Sequence, residues 1–309
     1  MQTALGIDFG GTTIKSGVVR AGAIVQAGNP IDTQAFDGPE AIIDALVVLV
    51  GQMGEHDSEL AAIGIGLPGI VDSVNGVVHE LTNVSGWSDV PLREILRERT
   101  GLPVTIENDA NAMAYGEFRF GAARGGRHVV CVTLGTGVGG ALILDGQLHR
   151  GAQLGAGEIG HMSIDLHGLP GPYANPGCLE EYVGNCQIAE RAVVRYQAAG
   201  QQKTPEQCTP VLLAASANGG DAIAAQLWND LGTELGAALA NVVWLLNPDS
   251  VVIGGGIAKA GELIFAPTRR EICARTSDIF HQKLRVVPAE LGNDAGIIGG
   301  AVLALEAIG

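Results

Sequence analysis

The chain is 309 residues long, with 46 glycines, 47% hydrophobic residues, 4% aromatics and a formal net charge of −15. Only 17% of it is charged, which with that apolar content excludes a disordered chain, and the glycines show no three-residue period, which excludes collagen. The acidity argues against a nucleic-acid footprint but not against an anionic substrate, because backbone amides at glycine turns bind phosphate without lysine.

In chain order, Ala4–Asp8 is a short apolar run ending on an acidic residue and a Gly-Gly turn. It predicts a strand, with a second over 13–20 and a third around Ile24–Val25 after Gly22. Residues 41–53 carry Ile42, Ile43, Leu46, Val47, Leu49, Val50 and Met53 at helical spacing. Residues 61–67 read as a buried strand closed by Pro68-Gly69, and 91–99 as a helix stopped by Gly101. Pro103–Ile106 is a strand, and from Asp109 the chain turns helical.

The second half restarts the same grammar. His128–Leu134 is a β-branched run, followed by Gly135–Gly140, a strand over Ala141–Leu144 and a turn at Asp145-Gly146. A shift of 124 positions lays Gly135-Thr136 over Gly11-Thr12 and Gly146 over Gly22. Two such hairpins facing each other would clamp a polyphosphate; two α/β units sharing hairpin chemistry by chance weighs equally. Asp165–Gly177 is a Pro/Gly-rich loop, and Ala198–Pro210 is polar and lid-like. Asp221–Leu246 is one long helical pattern ending at Asn247-Pro248, and Ser250–Ile253 is a strand running into Gly254-Gly255-Gly256. A helix over Glu262–Arg275, a strand over Leu284–Val287 and a closing helix over Ala295–Ile308 complete an α/β chain of about two domains. The five cysteines form no CxxC pair and read as reduced thiols. No signal peptide opens the sequence, and the apolar stretch Leu235–Asn247 is too short to span a bilayer, so a cytoplasmic protein without a membrane partner is expected.

Two segments match GxGxxG, Gly64–Gly69 and Gly135–Gly140, but strand-type residues follow both where a dinucleotide site needs a helix. No Gly-Lys-Ser/Thr occurs, so a Walker A loop is absent too. What remains is Asp8–Thr13 with Lys15, and Thr133–Gly137. Their glycines admit phosphate oxygens and their threonines add donors. Asp8 is either a Mg²⁺ ligand acting through water or a strand-end turn former; Lys15 reads as a solvated strand residue. In Glu107-Asn108-Asp109, the default for Asp109 is a helix N-cap, and the functional reading is a general base at the carboxyl edge of a sheet. Gly157–His161 and Gly177–Glu180 set Glu158, Glu180 and His161 beside glycine turns, a donor and acceptor set suited to sugar hydroxyls. A lone histidine is more often a satisfied core residue, and it is the two neighbouring glutamates that weigh against that here. Only His161 and Cys178 offer metal-type ligands, far short of four, so no structural metal is expected.

Asp8-Phe9-Gly10-Gly11-Thr12, Leu67-Pro68-Gly69, Asn83–Trp87, Glu107-Asn108-Asp109, Thr133–Gly140, Gly157–His161, Gly177–Glu180 and Gly254–Gly256 follow in that order. Together they resemble the ROK (repressor, open reading frame, kinase) family over essentially the whole chain. The resemblance implies an α/β fold of two domains, the actin-like ATPase (ribonuclease H-like) fold, with the active site in the interdomain cleft. The small domain is expected over 1–115, completed by a C-terminal helix at about 295–309, and the large domain over 116–294. The resemblance also implies that Asp109 takes the proton from a sugar 6-hydroxyl as it attacks the γ-phosphate of ATP. Gly69, Asn83, Asn108, Asp109, Glu158, His161 and Glu180 would bind the sugar. Asp8, Gly10, Gly11, Thr12, Thr133, Gly135, Thr136 and Gly137 would hold phosphates and Mg²⁺, with Gly254, Gly255 and Gly256 along the adenosine. Many members carry C-x-C-G-x-x-G-C and a histidine around a zinc ion, but here Gly171 and Tyr173 stand where the first two cysteines would be.

The leading expectation is ATP-dependent phosphorylation of D-glucose, in a homo-oligomer such as a dimer. N-acetylmannosamine or other hexose kinases and polyphosphate glucokinase are the alternatives, the last disfavoured by a net charge of −15. A sugar-sensing regulator is set aside, because family regulators place a helix-turn-helix before the first phosphate strand and only three residues precede Ala4.

Overall fold

A computed structural model of the chain describes residues 2–309 apart from His56, Ser58, Thr82, Asn83 and Ser85. The chain divides into two compact units. One comprises the residues up to Gly125 with Leu148–Ala156 and Glu290–Gly309, the other Gly126–Gln147 and Gly157–Ala289. The division leaves the helix after Asp109 whole within the first unit, where a boundary at 115/116 would cut it. It also lends that unit a short excursion, Leu148–Ala156, from the second half.

In the first unit, strands β1 (Thr3–Phe9), β2 (Thr13–Arg20) and β3 (Ala23–Ala27) form an antiparallel meander, with the two-residue β4 (Ile31–Asp32) paired to β2. Ala21 and Gly22 both take positive φ, 52° and 81°, the mirror-image hairpin turn whose twist matches the strands it joins. Helix α1 (Gly38–Gly54) buries Ile42, Ile43, Leu46, Leu49, Val50 and Met53, the expected stripe except for Val47, which is half-buried. β5 (Leu60–Leu67) then pairs parallel to β1, β6 (Ile70–Asp72) and β7 (Val77–Glu80) make a separate hairpin, and α2 (Leu92–Thr100) stops at Gly101, which is left-handed at φ 73°. β8 (Val104–Asn108) pairs parallel to β5 and leads straight into α3 (Asp109–Phe120). The sheet order is β3-β2-β1-β5-β8.

The second unit repeats this plan. β9 (Val129–Leu134), β10 (Val138–Leu144) and β11 (Gln147–His149), whose last two residues begin the Leu148–Ala156 excursion, are followed by helices α4 (Glu180–Val183), α5 (Asn185–Ala198), α6 (Pro210–Asn218) and α7 (Ala222–Leu246). β12 (Ser250–Gly254), α8 (Glu262–Arg275), α9 (Asp278–His281) and β13 (Arg285–Pro288) complete it. The order β11-β10-β9-β12-β13 repeats that of the first sheet, and Asp145 and Gly146 repeat its turn with φ 54° and 76°. The internal repeat is therefore one of topology. The segment 198–210 is no open lid: a single helical turn with a capping box at Thr204 buries Cys208 against the core.

The last helix, α10 (Ala295–Ala307), returns to the first unit and packs on α3, β1 and β5. A Cβ at Gly64 would overlap the carbonyl oxygen of Gly300, and one at Gly299 that of Ala112, so sheet, α10 and α3 meet backbone to backbone. Part of the glycine excess thus serves helix seating rather than ligand turns. Glu117 of α3 is fully buried. Its Oε2 accepts the backbone N–H groups of Ala122 (2.8 Å) and Glu290 (3.1 Å), and its Oε1 that of Leu291 (2.8 Å). It therefore holds the chain near where it leaves the first unit and where it re-enters.

Candidate functional site

Parallel pairing brings three strand ends of the first unit to one edge. Asp8 lies opposite Gly66, Gly66 opposite Glu107, and Leu67 opposite Asn108. At about 4.8 Å per strand, Asp8 and Glu107 are separated by roughly 10 Å across Gly66. Carboxyl ends of parallel strands are where α/β sheets hold ligands.

Asp8 is half-buried, and burial pushes its carboxyl above the ordinary carboxylate range, partly opposed by the charge of Lys15. Lys15 is its cross-strand partner rather than a detached solvated residue. A Cβ at Gly296 would lie 2.8 Å from Asp8 Oδ1, so the first turn of α10 abuts this carboxylate. After β1, Gly10 N donates to Thr13 O (3.0 Å), while Thr33 holds the next two carbonyls, its hydroxyl donating to Gly11 O and its amide to Thr12 O, both at 3.1 Å. Gly69 follows β5, exposed and with φ 96°, a conformation that favours glycine.

Asn108, not Asp109, caps α3. Its Oδ1 accepts the amides of Ala110 (3.0 Å) and Asn111 (3.2 Å), and Asp109 is the first helical residue. The default sequence reading of Asp109 as N-cap is thereby corrected: the cap is one residue earlier, and Asp109, whose Oδ1 accepts the Ala110 amide at 2.8 Å, opens the helix at the sheet edge. Glu107 is buried and accepts Arg150 Nε (2.7 Å), Asn111 Nδ2 (3.0 Å) and the Asn108 amide (3.0 Å). Arg150 belongs to the Leu148–Ala156 excursion, whose Leu154 also lines a cavity of about 320 Å³ with Ile70, Asp72 and His79. Neither the Glu107–Arg150 pair nor the excursion is legible in the sequence; a lone arginine between a histidine and a glycine carries no periodic signal. Asn83 lies outside the described residues.

The second unit assembles the other expected residues. Thr133 lies opposite Gly139 across the β9–β10 hairpin and opposite Gly254 of parallel β12. Gly135 N donates to Gly137 O (3.0 Å) to close the turn through Thr136. Gly255 has φ 89°, and a Cβ there would strike the Leu134 backbone, so the Gly254–Gly256 bend lies against this hairpin.

Gly160 seats the turn Ile159–His161 on β10, where a Cβ would overlap Val138 O, while Glu158 just before it is exposed. Leu179 N donates to Met162 O (3.0 Å) and Ile164 N to Gly177 O (2.8 Å), which joins the two glycine-flanked motifs. Glu180 Oε2 accepts the Val138 amide at 2.8 Å. His161 meets the Tyr173 ring edge-on at 5.7 Å, its carbonyl accepts Asn175 Nδ2, and its Nδ1 is buried without a partner.

The zinc-type position does not fit a four-ligand ion. Gly171 brings no donor, a Cβ there would lie 2.6 Å from Cys178 Sγ, and Tyr173 points an exposed ring from a left-handed backbone, φ 56°. Among the described residues no group of three or more His, Cys, Asp or Glu is placed to hold a metal ion. No helix among them is long and apolar enough to cross a membrane.

The profile of the ROK family matches residues 4–307. A glucokinase of Streptomyces coelicolor is 35% identical over 322 aligned positions, covering 99% of this chain and 98% of that protein. A crystal structure of a ROK family glucokinase from Streptomyces griseus, in complex with glucose and AMPPNP, is 33% identical, with a TM-score of 0.81 over 98% of this chain and 99% of its own. The DNA-binding transcriptional repressor Mlc of Escherichia coli is 33% identical over 81% of this chain and 61% of its own length.

Proposed function

The chain belongs to the ROK family, and on that premise we propose that it phosphorylates D-glucose at the 6-hydroxyl with ATP, giving glucose 6-phosphate and ADP. It is a sugar kinase of the two-domain actin-like ATPase fold, a class carried by relatives that match it end to end. Glucose as the hexose is supported by the glucokinase names and by the glucose in the S. griseus structure. Related hexose or N-acetylmannosamine kinases are the alternative substrate readings. Polyphosphate as donor is disfavoured by a net charge of −15, since a long polyanion calls for a basic track.

The single observation that carries the mechanism is the carboxylate of Asp109 on the first residue of α3, with the helix cap supplied by Asn108. In this reading Asp109 accepts the 6-hydroxyl proton as that oxygen attacks the γ-phosphorus. The new O–P bond forms while the bond to the β,γ-bridging oxygen breaks, and ADP leaves with the electron pair. Gly69, Asn83, Asn108, Glu158, His161 and Glu180 orient the sugar. Asn108 keeps its amide nitrogen for a hydroxyl, because its oxygen is committed to the helix. Gly10, Gly11, Thr12, Thr133, Gly135, Thr136 and Gly137 meet the phosphates, and Gly254–Gly256 the adenosine. Asp8 fits Mg²⁺, which accepts few carboxylates and retains water; when bound, the ion neutralises charge on the phosphate oxygens. Catalysis is then positioning plus charge stabilisation. The zinc of the family is absent from this reading, and a homodimer is part of it, to be tested by light scattering.

A coupled ATP-consumption assay over hexoses and N-acetylhexosamines, repeated with polyphosphate, tests the substrate and donor. Asp109→Asn should keep sugar binding and lose turnover by a factor of about 10² to 10⁴. Turnover at the wild-type level in that variant removes Asp109 from the role, and no phosphorylation of any sugar removes the function.

A further inference from the structure

We infer that Glu180, besides its sugar role, is a positioning residue for the nucleotide: its carboxylate braces the turn proposed to hold phosphate. This rests on the kinase reading above. The turn Gly135-Thr136-Gly137 has one internal bond, Gly135 N to Gly137 O at 3.0 Å. Further bracing comes from the segment Glu180–Asn185, more than forty residues onward. Glu180 Oε2 accepts the amide of Val138 at 2.8 Å, just beyond the turn. Gly137 has no side chain, and a Cβ there would collide with that same oxygen, so the carboxylate lies flat against the turn. Asn185 N donates to Gly135 O at 3.0 Å, and a Cβ at Gly184 would stand 3.1 Å from Thr136 O. The segment thus touches the turn at each of its residues, and Glu180 supplies the side-chain contact.

A carboxylate beside a phosphate turn is electrostatically unfavourable, so its presence calls for a compensating role. A carboxylate has about four acceptor positions, and the Val138 amide takes one. Oε1 remains to accept a sugar hydroxyl. One side chain can then contact the sugar through one oxygen and hold the phosphate turn through the other. A sugar that orders the carboxylate also orders the turn, and by linkage the nucleotide returns the same factor to the sugar.

The test compares Glu180→Ala with Glu180→Gln, whose amide oxygen still accepts from Val138. The readouts are AMPPNP binding with Mg²⁺ in the absence of sugar, and KM for ATP and for glucose. Loss of one hydrogen bond to a charged acceptor corresponds to about 10-fold to 100-fold, so Glu180→Ala should weaken AMPPNP by that range. Glu180→Gln should restore AMPPNP binding and KM for ATP to about threefold of wild type, while KM for glucose stays raised in both variants, as one lost charge-assisted contact implies. Equal AMPPNP affinity in Glu180→Ala and wild type overturns the inference, as does equal impairment in the two variants. Should Glu180→Ala fail to fold, Gly137→Ala presses on the carboxylate from the opposite side. It should raise KM for glucose at saturating ATP, and an unchanged value overturns the inference. A wild-type protein that binds no AMPPNP would instead remove the kinase reading itself.

Discussion

Glu117 offers a sharp test of how the first unit is held together, because three backbone donors, one buried and two part-buried, converge on its buried carboxylate. Its oxygens accept from Ala122, Glu290 and Leu291 at 2.8, 3.1 and 2.8 Å. A buried donor left unsatisfied costs about 1–3 kcal/mol. Glu117→Gln keeps one oxygen, able to serve the pair Ala122 and Glu290, but turns an NH₂ group toward Leu291 N–H; its cost is that of one part-buried donor, about 1 kcal/mol. Glu117→Ala orphans the buried Ala122 amide and the two part-buried ones and should cost more than Glu117→Gln, about 2–3 kcal/mol, a large share of a total stability of about 5–15 kcal/mol. Urea denaturation gives the free energies, and hydrogen exchange read by mass spectrometry should show protection lost at residues 122, 290 and 291. Glu117→Ala with an unchanged urea midpoint and undiminished exchange protection would refute the reasoning.

Asp8→Asn should stabilise the ligand-free protein while impairing turnover. Burial raises the folded carboxyl above 3.8, so the folded state binds the proton more tightly than the unfolded chain does. The stability that Asp8 contributes is present below that value and lost as pH rises, and the variant should gain on wild type above about pH 4 in melts from pH 4 to 8; a lower Tm at neutral pH contradicts this. Gly64→Ala should cost about 3 kcal/mol, the top of the usual overpacking range, because both colliding partners are backbone. The exposed helical Gly51, with open space around it, should gain about 0.5–1 kcal/mol as alanine; melts that rank the two alike refute the close-packing account. Purified protein should carry no stoichiometric zinc by elemental analysis, and a zinc-selective chelator should leave Mg²⁺-supported turnover untouched; one zinc per chain would show that the site around Cys178 is complete.

Much of the backbone plan was legible because its signals are local. Gly101 as a left-handed stop, Asp221 as the N-cap of α7 and Asn247 as its left-handed end all act within a turn of the residues they serve. The repeated hairpin was visible as glycine spacing, and its counterpart in the structure is the shared sheet order. Helices α5 and α6 lie outside the elements predicted above, although Ile188, Ala192 and Tyr196 recur every fourth residue and Thr209-Pro210 is a cap followed by proline at the first helical position. Contacts between distant segments were out of reach. Nothing near Glu180 announces Val138, nothing near Glu107 announces Arg150, and a glycine that seats a helix reads the same as one that opens a turn.

The placement of α10 bears on the order in which the protein is made. The second unit is finished when β13 leaves the ribosome, whereas the first must wait for the helix that covers β1 and β5. Until residues 295–307 emerge, the glycine-lined face formed by Gly6 and Gly64 has nothing to pack against. The earliest-synthesised half of the enzyme is therefore the last to close, and for the length of the intervening translation it presents an apolar sheet face to chaperones, proteases and other nascent chains.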